Sequence, residues 1–290
     1  MAIKIITDSA SDITQQQAAL MDITVIPMKT VFDDAEYLDG IDITYEEFYK
    51  KLTSSKNLPT TTQISPAEFV EMFRSQLGEK DDLIYIGMSG ALSGTIASAE
   101  LAVKMMEKDE RKHIYVVDSI NVTVGERLIV EYALRLRSQG LSARKIVKAL
   151  EKRRGDVRLV ATLDTLEYLK KGGRISTAVA LAGTLLSIKP LIGIVRGRVA
   201  MLGKARGLKN ARKTMDELIE KDGGIDAGMP YCLAYTGTDD ALLRKFVSTT
   251  AQLHSCDINL LPVSMVGSVI GTHIGPNAFC IAYFAGNAAA

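Results

Sequence analysis

Ser89-Gly90-Ala91-Leu92-Ser93-Gly94 follows a short apolar run, Leu83 to Met88, and precedes a helical pattern that opens at Thr95. Small residues let backbone and hydroxyls approach a ligand closely. A strand, a Gly/Ser turn and a helix N-terminus together make an anion site, because unpaired N–H groups and the helix dipole point into the turn. An ordinary βα loop has the same local pattern, so this stretch alone does not decide. Hydroxyls recur where other strands are expected to end: Thr7-Asp8-Ser9-Ala10-Ser11, Thr60-Thr61-Thr62-Gln63 and Asp118-Ser119. In a doubly wound sheet the ligand crevice lies beyond the carboxyl ends of the strands, so these turns are expected to converge on one polar pocket. Hydroxyls without nearby carboxylates suit a carboxylate or phosphate oxygen better than a metal.

Catalytic patterns are sparse. Gly87-Met88-Ser89-Gly90 approaches a nucleophile elbow but lacks the second glycine at the required spacing. Neither a Walker-A nor a Gly-x-Gly-x-x-Gly sequence is present. Of the three histidines, His113 and His254 fall at element ends, as surface residues do. His273, in Gly271-Thr-His-Ile-Gly-Pro276, is expected in a glycine-flanked turn that presents its side chain. In Tyr168-Leu-Lys-Lys-Gly-Gly-Arg-Ile-Ser176, Gly172 and Gly173 stop a helix and Arg174 opens the next element; alone, this is a helix end with dipole-compensating bases. Cys232, Cys256 and Cys280 are widely spaced, with no Cys-x-x-Cys pair, so neither a disulfide framework nor a zinc site is indicated.

The elements that must position these residues follow from the chain's patterning. At 290 residues, 47% hydrophobic and 24% charged, the chain has length for two domains with separate cores. A first strand at Ile3–Thr7 is followed by a helix at 14–21, a strand at 23–28 and capping boxes at Thr44 and Ser65. The Leu83–Met88 strand, the helix from Thr95, a strand at 114–117 and helices at 124–138 and to Arg153 complete a βα alternation, which implies a mainly parallel sheet covered on both faces. A second unit starts near Gly155-Asp156. It has a strand at 159–162, a hairpin around Arg196-Gly197-Arg198, helices at 208–221 and 239–253, and strands at 231–235, 258–262 and 279–284. The expected fold is therefore α/β with an N-terminal domain, 1–155, of mainly parallel sheet and a C-terminal mixed α/β domain, 156–290.

Charge is segregated although the net is +1. Seven acids and no base lie between Asp33 and Glu47, and eleven bases and no acid between Tyr168 and Met215. The basic run suits a solvated face, an anionic ligand or an acidic partner. With no Trp and 6% aromatics, a base-stacking surface is poorly supplied, and nucleic-acid binding is not expected. The N-terminus lacks a signal peptide's apolar core, and Lys189-Pro190 interrupts the best membrane candidate, so a cytoplasmic location is expected.

Taken in order, several of these segments resemble the DegV family, bacterial fatty-acid-binding proteins that act as acyl carriers for fatty acid kinase. The matching segments are Ile6-Thr7-Asp8-Ser9, Thr61-Thr62-Gln63 with Ser65, Leu92-Ser93-Gly94-Thr95, Val117-Asp118-Ser119, Thr162-Leu163 through Ser176, Ile188-Lys189-Pro190, Lys204-Ala205-Arg206 and His273-Ile274-Gly275-Pro276. The resemblance implies a carrier rather than an enzyme, with a long-chain fatty acid as ligand and no cofactor or metal. It implies that Thr61 and Ser93 hold the carboxylate, with Thr62 and Gly94 beside them, and that Arg174 and His273 line the entrance. Arg206 would face phosphate or a partner. The implied partner is a separate fatty acid kinase that forms acyl phosphate for phospholipid synthesis, with at most transient membrane contact. The alternative is an enzyme acting on a small phosphorylated or carboxylated metabolite, motivated by the basic run and His273. Two departures stand out: Ser89-Gly90 replaces consecutive serines, and Asn277 follows Pro276 where glycine is usual. The tail pocket would draw on the methionines and the Ala178–Ile194 stretch.

Overall fold

A computed structural model describes residues 2–33, 35–78, 81–175, 187–250, 253 and 257–286. Ser176, the 178–186 part of the expected tail wall, His254, Cys256 and the last alanines lie outside the described residues.

Four strands form a parallel sheet: β1 (Ile3–Asp8), β2 (Thr24–Ile26), β6 (Asp82–Gly87) and β7 (Ile114–Asp118), in the order β2-β1-β6-β7. β6 is buried from Leu83 to Gly87, as a strand covered on both faces must be. Thr14, Thr44 and Ser65 each accept from the backbone N–H three residues on, and Gln17, Glu47 and Glu68 return the bond. These reciprocal caps start three helices where the sequence predicts them. Ser142, by contrast, makes no side-chain capping bond at the start of the Ala143–Arg153 helix.

The second sheet has six strands: β8 (Val157–Thr162), β9 (Ile188–Val195), β10 (Arg198–Arg206), β11 (Tyr231–Tyr235), β12 (Val263–Met265) and β13 (Phe279–Phe284). Their order is β10-β9-β8-β13-β11-β12, antiparallel except for the β11–β12 pair. The architecture is thus α/β with one parallel and one mixed sheet. At the β9–β10 turn, Arg196 and Gly197 both have positive φ, 50° and 75°, the conformation of a tight hairpin whose twist matches its strands. The Val124–Ser138 helix is buried along Val124, Leu128, Ile129, Val130 and Ala133. It touches β1 and β6 of the first sheet and β8, β11 and β13 of the second, so one apolar core runs between the sheets. A second core fills the far face of the six-stranded sheet under the Gly207–Lys221 and Ala241–Val247 helices.

The structure corrects four expectations. The strand expected at 258–262 is a short 3₁₀ turn, Ile258–Leu260, and the pairing strand is β12, from Val263 to Met265. The helix expected over 239–253 spans only Ala241–Val247. A third sheet went unread: β3 (Lys29–Val31), β4 (Glu36–Leu38) and β5 (Thr60–Thr62), in the order β4-β3-β5. Thr61 therefore sits on a strand, not in a turn. His273 sits in the last turn of a Ser268–Ile274 helix rather than in a loop; Gly275, at φ 72°, ends that helix. Among the described residues no helix is long and apolar enough to cross a membrane.

Candidate functional site

Beyond the carboxyl ends of β1 and β6 lies a cavity of about 370 Å³, within the ~300–1,000 Å³ range of small-molecule sites. Thr61, Thr62, Ser93, Gly94, Arg174 and His273 all line it. Arg206 does not: it is exposed at the end of β10, where its carbonyl accepts from Asn210. The loop after the Glu167–Lys171 helix supplies Arg174, and three other units supply the remaining five. β5 brings Thr61 and Thr62, the turn after β6 brings Ser93 and Gly94, and the Ser268–Ile274 helix brings His273.

Ser93 Oγ lies 2.8 Å from Thr95 Oγ1 and accepts from the Thr95 backbone N–H at 3.3 Å, so its hydroxyl stands over the first turn of the Thr95–Met105 helix. Gly94 caps this helix without a side chain, at φ −74°. A Cβ there would collide with Gln63 Oε1. Gln63 in turn donates to Ser98 Oγ at 3.1 Å, binding the end of β5 to the same helix. Gln63 is a site residue that sequence reasoning quoted in its motif without assigning a role; its amide fixes the spacing between Thr61 and Ser93.

Thr61 Oγ1 and His273 Nε2 are 3.0 Å apart. Burial, and then the Arg174 charge, push the His273 imidazolium's pKa down to about 4 from an ordinary 6.5, so the ring is neutral at pH 7. Nδ1 is buried without a partner and packs on Gly172, where a Cβ would collide with it. An N–H at Nδ1 would be orphaned there, so the neutral ring carries its proton on Nε2, donates to Thr61 Oγ1 and leaves the threonine O–H for a ligand. Arg174 is anchored by its own loop and by the turn after β6, donating from Nη1 to the Gly172 carbonyl at 2.6 Å and from Nε to the Leu92 carbonyl at 3.4 Å. Among the described residues no Asp or Glu lines the cavity. Hydroxyls, a helix N-terminus and one fixed guanidinium make its head attractive to an anion.

The other end is apolar. Val122, Leu169, Val199, Ile270 and Ile274 are shared with an adjoining slot that runs past Leu159, Ala161, Ile192 and Cys280 toward the six-stranded sheet. Of the expected 178–194 tail wall, Ile192 and Ile194 take part.

Two hydroxyl turns do not converge on this cavity, and carboxylates are closer to them than expected. Asp8 accepts from Tyr85 Oη at 2.7 Å and from the Ala10 and Met88 amides, while Asp118 accepts from Gly90 and Ile120. Thr7 donates to the buried Glu126. These groups bind the strand ends to one another, because buried backbone amides at sheet ends need acceptors. Burial holds Asp8 up at about 6. Ser89 is likewise structural, donating to the Gly197 carbonyl of the hairpin at 2.8 Å, so the Ser89-Gly90 departure lies off the cavity. Asn277 stands at φ 62°, a left-handed conformation that asparagine tolerates in glycine's place. Among the described residues no group of three or more His, Cys, Asp or Glu side chains is placed to hold a metal.

A parallel sheet, a mixed sheet and the small β4-β3-β5 sheet surround a pocket with a hydroxyl-lined head beside an apolar slot, in an α/β protein. The DegV family model, described as "Uncharacterised protein, DegV family", matches residues 2–286, and the chain belongs to that family. Relatives include a DegV domain-containing protein of Caldanaerobacter subterraneus, 35% identical over 95% of this chain and 96% of its own length. Another, from Deinococcus radiodurans, is 34% identical over 97% and 98%. Among solved structures, a DegV family protein from Thermus thermophilus, described by its fatty acid binding, superposes with a TM-score of 0.85 at 32% identity, covering 98% of this chain and 100% of that one. DegV from Bacillus subtilis, described as a fatty acid binding protein, superposes with a TM-score of 0.82 at 29% identity over 97% and 98%.

Proposed function

We propose that this chain is a carrier that binds one long-chain fatty acid. Its carboxylate would accept from Ser93, Thr61 and the backbone amides near Gly94, with Thr62 beside them, and its tail would fill the apolar slot. The observation that carries this reading is a cavity with a hydroxyl-lined head, free of acids among the described residues, adjoining a narrow aliphatic slot of about 50 Å³ that shares five of its lining residues. The fatty acid binding described for the Thermus and Bacillus proteins supports it. Charge-assisted bonds contribute ~1.5–3 kcal/mol each. At about 0.8 kcal/mol per buried CH₂, a long chain contributes of order ten kcal/mol before ordering costs.

In this reading the N-terminal domain, 1–155, supplies the head-group turns and the C-terminal domain, 156–290, completes the slot. Arg174 and His273 stand at the entrance, where a separate cytoplasmic kinase would convert the carboxylate to acyl phosphate for phospholipid synthesis. Arg206, outside the cavity and exposed, is left free for that partner or its phosphate. An enzyme acting on a small metabolite has less support. His273 is neutral, hydrogen-bonded to Thr61 and without a carboxylate partner, so it lacks the orienting group of a nucleophile–base pair.

Native and denaturing mass spectrometry of the purified protein tests the assignment. A single acyl carboxylic acid is expected to leave on denaturation. Absence of any acid, with no thermal shift on adding palmitate or oleate, would overturn it.

A further inference from the structure

A second cavity, of about 390 Å³, adjoins the fatty-acid cavity and shares Leu92, Arg174 and Val199 with it. The turn after β6, the loop that follows the Glu167–Lys171 helix and the start of β10 line it. Arg198 is on its wall and not on that of the fatty-acid cavity. The Ser89 hydroxyl, donating to the Gly197 carbonyl at 2.8 Å, fastens the β9–β10 hairpin to the turn after β6 and so brings Arg198 to the cavity that Arg174 borders. Arg206 stands at the opposite end of β10.

Two guanidiniums thus line one cavity without a counter-ion. Among the described residues, the Leu92 and Gly172 carbonyls are the acceptors of Arg174, which leaves donors on its Nη1 and Nη2. Arg198 is exposed and makes no hydrogen bond or ion pair with another described residue. No Asp, Glu or aromatic side chain among the described residues lines the cavity. Asp118, which accepts from the Gly90 and Ile120 amides, is not on its wall. Like charges on one cavity repel, and an anion bound between them removes that cost. A carboxylate occupies a single guanidinium fork, whereas a phosphate group has oxygens for two. With no ring to stack on a base, the phosphate group itself is what this lining recognises.

We propose that this second cavity is a subsite for a phosphate group, clamped between Arg174 and Arg198, and that its occupation opposes fatty-acid binding. The opposition follows from the shared arginine. An anion on one side of Arg174 offsets the charge that a carboxylate on the other side would use, and the two anions repel. By reciprocity the fatty acid weakens phosphate binding by the same factor. The phosphate subsite stands without the fatty-acid reading; the coupling rests on it.

³¹P NMR of the delipidated protein reads the subsite directly, with inorganic phosphate and phenyl phosphate as probes at matched ionic strength. Saturable broadening of at least one signal is expected, and its loss in Arg198→Gln. Broadening of inorganic phosphate alone marks a free ion as the ligand, and of phenyl phosphate alone an ester. Displacement of a fluorescent fatty acid reads the coupling. A saturating probe is expected to weaken fatty-acid binding about threefold in the parent and to have no effect on it in Arg198→Gln, while chloride at the same ionic strength has none in either. Arg198 is exposed, so the variant is expected to fold as the parent does. The proposal is overturned if neither probe is broadened saturably, if Arg198→Gln binds the probe as tightly as the parent, or if a saturating probe leaves fatty-acid affinity unmoved. Phosphate binding by a protein that takes up no fatty acid would retain the subsite, remove the coupling and overturn the carrier reading.

Discussion

Thr61 and His273, 212 positions apart in the chain, meet at 3.0 Å with the imidazole neutral and its Nδ1 buried against Gly172. β5 holds one partner and the last turn of the Ser268–Ile274 helix the other. A second tie runs parallel to it: Thr30, paired with Thr61 across β3 and β5, shares a 2.8 Å hydroxyl contact with Ser268 at the start of that helix. The helix is therefore pinned to the small sheet at both ends, which fixes the direction of the Thr61 hydroxyl.

Arg174 is the second cause of the depressed His273 pKa, after burial. In Arg174→Gln the imidazole midpoint is expected to rise from about 4 while staying below 6.5, because the desolvation remains. Histidine ring resonances followed by NMR across pH measure it directly. An unchanged midpoint would mean that the guanidinium points away from the ring in solution.

Ser93 and Thr61 approach one anion from two elements, so their removal should be coupled. Ser93→Ala and Thr61→Ala are each expected to weaken fatty-acid binding by roughly tenfold, the equivalent of ~1.4 kcal/mol. The double variant is expected to depart from additivity, since both hydroxyls serve the same carboxylate. Displacement of a fluorescent fatty acid gives the affinities. Full ligand occupancy in the double variant would remove the carboxylate assignment.

The parallel sheet was legible because its strands are continuous apolar runs and its helices open with capping boxes, both local signals. Most of the site was legible for a related reason: Ser93 and Gly94 lie where a strand meets a helix N-terminus. Thr61 and His273 were singled out as a hydroxyl-rich stretch and a glycine-flanked histidine, their separate roles came only from the family resemblance, and their local structure was misread. A three-residue strand such as β5 has too few residues for alternation to show, and it exists through its pairing with β3. The Ser268–Ile274 helix begins at Gly267 without a side-chain cap, and contains Gly271, which packs against Phe48 and Tyr49. Its helix-breaking composition is what allows that close packing.

Gly94 is expected to tolerate no side chain, for reasons of space and not of backbone strain. Its φ of −74° is ordinary, but a Cβ would displace the Gln63 amide and break its bond to Ser98. Gly94→Ala is therefore expected to cost about 1 kcal/mol of stability and to weaken fatty-acid binding more than stability. Gln63→Ala in the same background makes room for the methyl group. Recovery of stability in that double variant, measured by urea unfolding, separates a local clash from a helix-cap effect.

The buried acids are expected to give the protein an unusual pH response. Burial raises Asp8 from 3.8 to about 6 and Asp12 from 3.8 to about 8, and Glu126 is raised as well. A carboxyl with a raised native pKa binds more protons folded than unfolded, so its contribution is complete below 3.8 and is lost as pH rises through the native value. His273 works in the opposite sense: its stabilising share is present above 6.5 and is lost as pH falls toward 4. Between pH 4 and 6 the carboxyls outnumber the imidazole; between pH 6.5 and 8 Asp12 titrates without that opposition. Each such group changes stability by about 1.4 kcal/mol per pH unit while it titrates in only one state. The urea midpoint is therefore expected to fall from pH 5 to pH 8, where many proteins hold steady. Asp12→Asn imitates the protonated acid, keeping an acceptor for the Gly267 N–H and a donor for Thr123. It is expected to leave stability at pH 5 nearly unchanged and to raise it at pH 8. A midpoint that climbs with pH in the parent, or an equal loss at both pH values in the variant, would show that Asp12 is ionised in the native protein.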